Sequence, residues 1–171
     1  MRREAADLLL SSMVDSEHVR VVTADLGFGV LDQVRAAFPE RFYNVGAAEF
    51  TMAGVAVGMA NEGVIPVCYS MSSFLLYRPF ELLRNYVNHE RIPVKLIGSG
   101  RDYDYSHDGV SHWAHDDEQV LAALPNIKLY KPDTVEDLEN IWQEFLFSTE
   151  PAYLNLRRKI GVQKLFMLQA V

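Results

Sequence analysis

Apolar positions along the chain follow two alternating rhythms, one of helical spacing and one of short unbroken runs. Residues 2 to 13 carry Ala6, Leu9, Leu10 and Met13 at helical spacing with charges between them, which predicts an amphipathic first helix. Val19 to Ala24 is a short β-branched run ending at Asp25, and predicts a strand. After the turn-rich segment Asp25 to Gly29, the spacing of Val30, Leu31, Val34, Ala37 and Phe38 is helical until Pro39 stops it. Strands are then expected at Phe42–Val45, Val64–Ser70, Val94–Gly98, Ile127–Tyr130 and Tyr153–Leu156. Helices are expected near 48–61, 74–88, 116–124 and 135–147. Regular alternation of strand and helix predicts an α/β fold of three layers, α/β/α, around a mainly parallel sheet of about six strands. In such sheets ligands collect beyond the carboxyl ends of the strands. That directs attention to Asp25–Gly29, Gly46–Glu49, Ser70–Phe74 and the long connection Gly98–His115.

Composition narrows the classes of function. With 49% apolar and 23% charged residues, the 171-residue chain is expected to form a single packed domain over 1–171. Sixteen basic residues against 23 acidic ones give a net charge of −7, and no stretch gathers Lys and Arg, so nucleic acid is not an expected partner. The longest purely small and apolar run, Met52 to Ala60, is about half of a membrane span, and Glu4 and Asp7 interrupt any signal-like segment. A cytoplasmic protein without membrane association is expected. Cys68 is the sole cysteine, so neither an intrachain disulfide nor a thiolate zinc cage is expected.

Three groups of residues could carry chemistry. Glu49 follows a strand at the start of a helix rich in small residues, Ala53, Gly54, Ala56, Gly58 and Ala60. Such a helix is expected to be buried, with a subunit contact as one setting. Glu49 either complements the helix dipole or, in an apolar setting, acts as an acid whose pKa is raised. Phe74, Tyr77 and Phe80 recur every three residues, as a core stripe or as a cofactor wall, with Pro79 interrupting a regular helix. Between His107 and Asp117 lie three histidines and three aspartates. His112 and Asp108 suit acid–base or substrate-hydroxyl contacts, a shared metal ion and a solvated loop being the alternatives. Gly27-x-Gly29 lacks the third glycine and the later acid of a dinucleotide loop.

Six segments occur in an order and spacing that resembles the pyrimidine-binding domain of the transketolase family, the thiamine-diphosphate enzymes that also include deoxyxylulose-phosphate synthase. They are Thr23-Ala24-Asp25-Leu26, Phe38-Pro39-Glu40-Arg41-Phe42, Val45-Gly46-Ala47-Ala48-Glu49, Phe74 to Phe80, Asp108-Gly109-Val110-Ser111-His112 and Leu124-Pro125-Asn126. The resemblance implies the thiamine-diphosphate-binding fold of the pyrimidine type. It implies that Glu49 hydrogen-bonds N1′ of the cofactor's aminopyrimidine and activates it for C–C bond cleavage and ketol transfer, with His112 the other catalytic residue. Tyr77 would stack on the ring, Phe74 and Phe80 would complete the pocket, and Asp25 would join the cofactor contacts. Asp108, His112 and Arg158 would meet substrate oxygens, Arg158 as a phosphate-binding arginine beside Arg157, with Arg2 or Arg3 as a second; a solvated surface charge is the alternative for each. No metal ligand is assigned within the chain.

Departures from the family pattern bear on substrate. Gly100 stands where a further histidine is common, Gly27-Phe28-Gly29 replaces a phosphate-binding serine, and Arg101 to Tyr105 is bulkier and more charged than a glycine-rich loop. The family's Gly-Asp-Gly and downstream Asn, which hold Mg²⁺ and the diphosphate, do not occur in this sequence. The expected unit is therefore the small subunit of a split, transketolase-like enzyme, inactive alone and completed as an α2β2 assembly. A separately encoded diphosphate-binding subunit would hold Mg²⁺ and share thiamine diphosphate, and the substrate would be a small ketose or 2-oxo acid. The rival expectations are a thiamine-dependent 2-oxo acid decarboxylase subunit, a non-catalytic assembly module of the same fold and, more remotely, a metal-dependent hydrolase built on the histidine-rich loop.

Overall fold

Six parallel strands order themselves β2-β1-β3-β4-β6-β5 in the computed structural model, which describes residues 1–158. Residues 159–171 of the expected 1–171 domain lie outside the described residues. The strands are β1 (Val19–Thr23), β2 (Phe42–Asn44), β3 (Ile65–Met71), β4 (Lys95–Ser99), β5 (Lys128–Tyr130) and β6 (Ala152–Leu156). β3, β4 and β6 are buried along nearly their whole length, as strands covered on both faces must be, and this explains their unbroken apolar runs. The edge strands β2 and β5 are three residues long and largely open.

Helices cover both faces, giving the expected three layers. One face packs α1 (Arg2–Asp15), α2 (Asp32–Ala37) and α7 (Val135–Phe147) through Leu9, Met13, Val34, Leu138, Trp142 and Phe145. The indole of Trp142 donates to Ser12 Oγ at 2.9 Å, satisfying two buried polar groups at once. α7 matches its predicted span because its start carries a capping box: Thr134 accepts from the Asp137 amide, and the Asp137 carboxylate accepts from that of Thr134. The opposite face packs α3 (Glu49–Asn61), α4 (Ser72–Tyr77), α5 (Phe80–Leu82) and α6 (Asp117–Ala122) through Met52, Ala56, Leu75, Leu83, Leu121 and Tyr153.

Two expectations change in detail. The predicted helix over 74–88 is two pieces: α4 starts at Ser72 and ends at Tyr77, and α5 runs from Phe80 into a π-helical turn over Leu83–Asn88. Pro79 has no amide hydrogen to continue the ladder, which accounts for the break. The small-residue helix α3 buries Met52, Ala53 and Ala56, but its Phe50, Gly54 and Gly58 side is exposed in the single chain. No described helix is long and apolar enough to cross a membrane.

The chain leaves β1 toward β2 through α2 and leaves β3 toward β4 through α4, in opposite directions across the sheet. The carboxyl ends of β1 and β3 therefore flank a crevice, the place such sheets offer to ligands. A cavity of about 190 Å³ opens there between Gly27, Phe28, Tyr69, Met71, Ser99 and Arg2.

Candidate functional site

Glu49 is the first residue of α3, and its carboxylate is buried, with 3% of the side chain exposed. Its charge complements the helix N-terminus. A second compensation was not foreseen. Arg78, at the end of α4, places Nη1 2.8 Å from both Oε1 and Oε2 of Glu49. Thus the setting of Glu49 differs from the apolar one expected: one side is closed by a guanidinium. Arg78 follows Phe74 by four residues, so one helical turn sets its guanidinium over the Phe74 ring, 3.5 Å from the centroid. The i, i+4 spacing of Phe74 and Arg78 is the signal in the sequence that could have found this contact.

Phe74 meets His112 edge-on, with ring centroids 4.9 Å apart. His112 closes a short 3-10 turn over Val110–His112, and its Nδ1 lies 2.9 Å from Ser111 Oγ. The hydroxyl of Ser73 donates to the Ser111 carbonyl at 2.8 Å and ties this turn to α4. Glu49, Arg78, Phe74 and His112 consequently form one continuous row at the carboxyl edge of the sheet. Tyr77 points elsewhere: its hydroxyl bonds the Asp116 carboxylate, and burial together with that anion raises its pKa. Phe80 packs partly buried against the core below. Asp108 lies 3.2 Å from the ring of His107 and not against His112.

A second group forms around Tyr105. Its hydroxyl accepts from Arg2 Nη1 at 3.2 Å and lies 3.3 Å from Ser99 Oγ, while the Arg158 guanidinium sits 5.1 Å from the ring centroid. The Asp104 carboxylate accepts from the amides of Arg101 and Arg158 at 3.1 and 2.7 Å. The neighbouring Arg157 is drawn to Asp102 at 3.5 Å and Asp133 at 3.8 Å, which leaves Arg158 as the arginine nearer Tyr105. Asp25 stands apart in a left-handed turn, with its amide and that of Gly46 both donating to Asn44 Oδ1. Thus the structure brings Glu49, Phe74 and His112 together, gathers Arg2 and Arg158 about Tyr105, and sets Asp25, Tyr77 and Asp108 in separate contacts. Among the described residues no three His, Cys, Asp or Glu side chains converge as a metal site.

Residues missed from sequence were Arg78, Tyr105 and Arg101. Tyr105 is admitted by Gly100, whose positive φ of 90° and missing side chain let the ring lie directly against its backbone. Arg101 is turned inward, and no local pattern marks it.

Comparisons with known proteins agree with the fold. Residues 1–161 match the family model of the transketolase pyrimidine binding domain. A provisionally named transketolase C-terminal section of Methanocaldococcus jannaschii is 30% identical over 160 residues, covering 93% of this chain and 51% of that protein. A 6-deoxy-6-sulfo-D-fructose transketolase subunit of Clostridium sp. is 27% identical over 164 residues, covering 95% and 51%. A solved split-gene transketolase, an inactive β4 tetramer, superposes with a TM-score of 0.81 at 28% identity, over 99% of this chain and 54% of that one. The chain spans about half the length of these relatives.

Proposed function

The chain belongs to the transketolase pyrimidine-binding-domain family, and on that footing we propose that it supplies the pyrimidine half of a thiamine-diphosphate site in a transketolase-like enzyme. The observation that carries this reading is the buried carboxylate of Glu49 at the head of α3, separated from the Phe74 ring by the Arg78 guanidinium alone, with His112 on the edge of that ring. An acid beside an aromatic face suits an aminopyrimidine, which offers ring nitrogens at its edge and a π-surface on its face. The described residues fit that half of the cofactor. In this proposal a partner subunit holds the diphosphate and Mg²⁺. Relatives named as a section or as a subunit of transketolases support that division. An α2β2 assembly, inactive when either chain is alone, is part of the proposal.

Bound thiamine diphosphate supplies the carbon nucleophile that adds to a substrate carbonyl. Glu49 holds and transfers a proton at the pyrimidine N1′, and its burial keeps bulk water from competing for that bond. Phe74 packs against the ring face, while Tyr77, held by Asp116, Phe80, packed on the core, and Asp25, paired with Asn44, would support the site from outside that face. His112 presents an imidazole to a substrate oxygen, its Nδ1 held by Ser111 and its Nε2 left for that contact. Asp108 and Arg158 extend the substrate contacts along the same edge. The donor is a small ketose or 2-oxo acid; cleavage of the C–C bond beside its carbonyl releases an aldehyde or carbon dioxide, respectively, and the retained fragment is joined to the carbonyl carbon of an acceptor aldehyde.

Mixing the chain with a diphosphate-binding-domain partner, Mg²⁺ and thiamine diphosphate tests the proposal. Ketol transfer that needs both chains supports it. Carbon dioxide release without an acceptor would convert the reading to a decarboxylase subunit, and no partner-dependent activity on either substrate class would refute it.

A further inference from the structure

Two arginines in this fold are held in opposite ways. Arg101 has 2% of its side chain exposed and donates to Asp133, to the Pro132 carbonyl and to the Asn155 carbonyl, so it is woven into the scaffold. Arg78 has 46% of its side chain exposed, and among the described residues the only hydrogen-bond acceptor of its guanidinium is Glu49. Phe74 is the other surface it touches, through a cation–π contact. One guanidinium nitrogen stands equally far, 2.8 Å, from both carboxylate oxygens. It therefore occupies the space between them, where an incoming ring nitrogen would seek its hydrogen bond, and it covers the Phe74 face on which a ring would stack.

We infer that Arg78 is a latch on Glu49: in the unassembled chain it fills the place of the aminopyrimidine, and it swings into solvent when cofactor and partner arrive. The inference rests on the assignment of Glu49 to the pyrimidine. The geometry favours a latch over a fixed strut on two grounds. A buried carboxylate without a counter-charge is costly, so the free chain needs a partner for Glu49. A side chain that is half exposed and held by one acceptor and one ring can leave without disturbing the core. The latch makes the chain silent toward cofactor until the complete site forms, because ring and guanidinium compete for one carboxylate and one aromatic face.

Three proteins test this: wild type, Arg78→Met and Arg78→Lys, each titrated with thiamine diphosphate in the presence of the partner subunit and Mg²⁺. Removing the competitor is expected to tighten cofactor binding by about fivefold or more in R78M; R78K, which keeps the charge without the planar stack, is expected to fall between. Equal or weaker binding in R78M would overturn the latch and make Arg78 an ordinary cofactor contact. Should R78M fail to fold, nitrogen-15 spectra of the wild-type guanidinium decide. Restricted Nη rotation for Arg78 in the free chain, lost in Glu49→Gln and lost again in the loaded complex, supports the latch; restriction that persists in the loaded complex overturns it. If wild type itself binds no cofactor with its partner, the proposed function falls and the latch with it; if wild type binds and R78M matches it, the latch alone falls.

Discussion

The guanidinium of Arg101 lies 2.6 Å from the Asp133 carboxylate and 2.8 Å from the carbonyls of Pro132 and Asn155. By these bonds the long connection after β4 is pinned to the start of α7 and to the end of β6. The charged loop that sets this chain apart from a glycine-rich one thus carries its charge partly inward. Arg101→Met is expected to destabilise the protein by about 2–4 kcal/mol, because two buried carbonyls lose their donors. Arg101→Lys, with a single point charge, should recover less than half of that loss. Urea denaturation of the three proteins gives the comparison.

Lys95 makes a similar tie at the opposite end of the sheet. Its buried Nζ donates to the Ser148 carbonyl, the Ser148 hydroxyl and the Glu150 carbonyl. Burial pushes the ammonium down to about 8, against the opposing attraction of Glu150. The unfolded chain keeps that proton until about pH 10, so unfolding takes up a proton between pH 8 and pH 10, and stability must rise with pH across that window. Thermal melts of wild type against Lys95→Met should show the wild type gaining relative to the variant from pH 8 to pH 10. A flat difference would mean the ammonium is not disfavoured by its burial.

Phe74 and Tyr77 separate by role. Phe74 carries the Arg78 guanidinium and faces His112, whereas the Tyr77 hydroxyl is engaged by Asp116. Phe74→Ala is expected to weaken partner-dependent cofactor binding by about tenfold, the loss of a stacked aromatic surface. Tyr77→Phe should change it by less than about threefold. The reverse order would return the principal stack to Tyr77.

Gly98 faces a crowded polar layer. A β-carbon there would stand 2.7 Å from Ser72 Oγ and from the Tyr153 hydroxyl, both buried. Gly98→Ala is expected to cost about 1–3 kcal/mol through overpacking. Calorimetric melting of the variant measures it, and a stability equal to wild type would show that α4 can lift from the sheet.

Much of this architecture was legible before any coordinates. The alternation of β-branched runs with amphipathic segments identifies the layers, since strands buried on both faces and helices buried on one leave different periods in the sequence. Glu49, Phe74 and His112 stood out because acid, aromatic and imidazole occur just past strand ends. What escaped was tertiary. The break at Pro79 was anticipated, but whether the helix would resume in α or π form depends on how Leu83 and Val87 reach the core. Arg78 and Arg101 have the same chemistry in the sequence, yet one is exposed over Glu49 and the other is sealed beneath a loop. Only the packing of distant segments distinguishes them. The pairing of Tyr105 with Arg2 spans 103 residues and follows from the gap at Gly100, which a sequence shows only as a missing histidine.

The central claim is that the buried carboxylate of Glu49 receives the pyrimidine of thiamine diphosphate in a site completed by a second subunit. Isothermal calorimetry of thiamine diphosphate into the mixed chains with Mg²⁺, for wild type and Glu49→Gln, tests it most directly. Partner-dependent binding in wild type, weakened about a hundredfold or more by Glu49→Gln in a variant of unchanged fold, is the predicted result. Equal binding by the two proteins would contradict it.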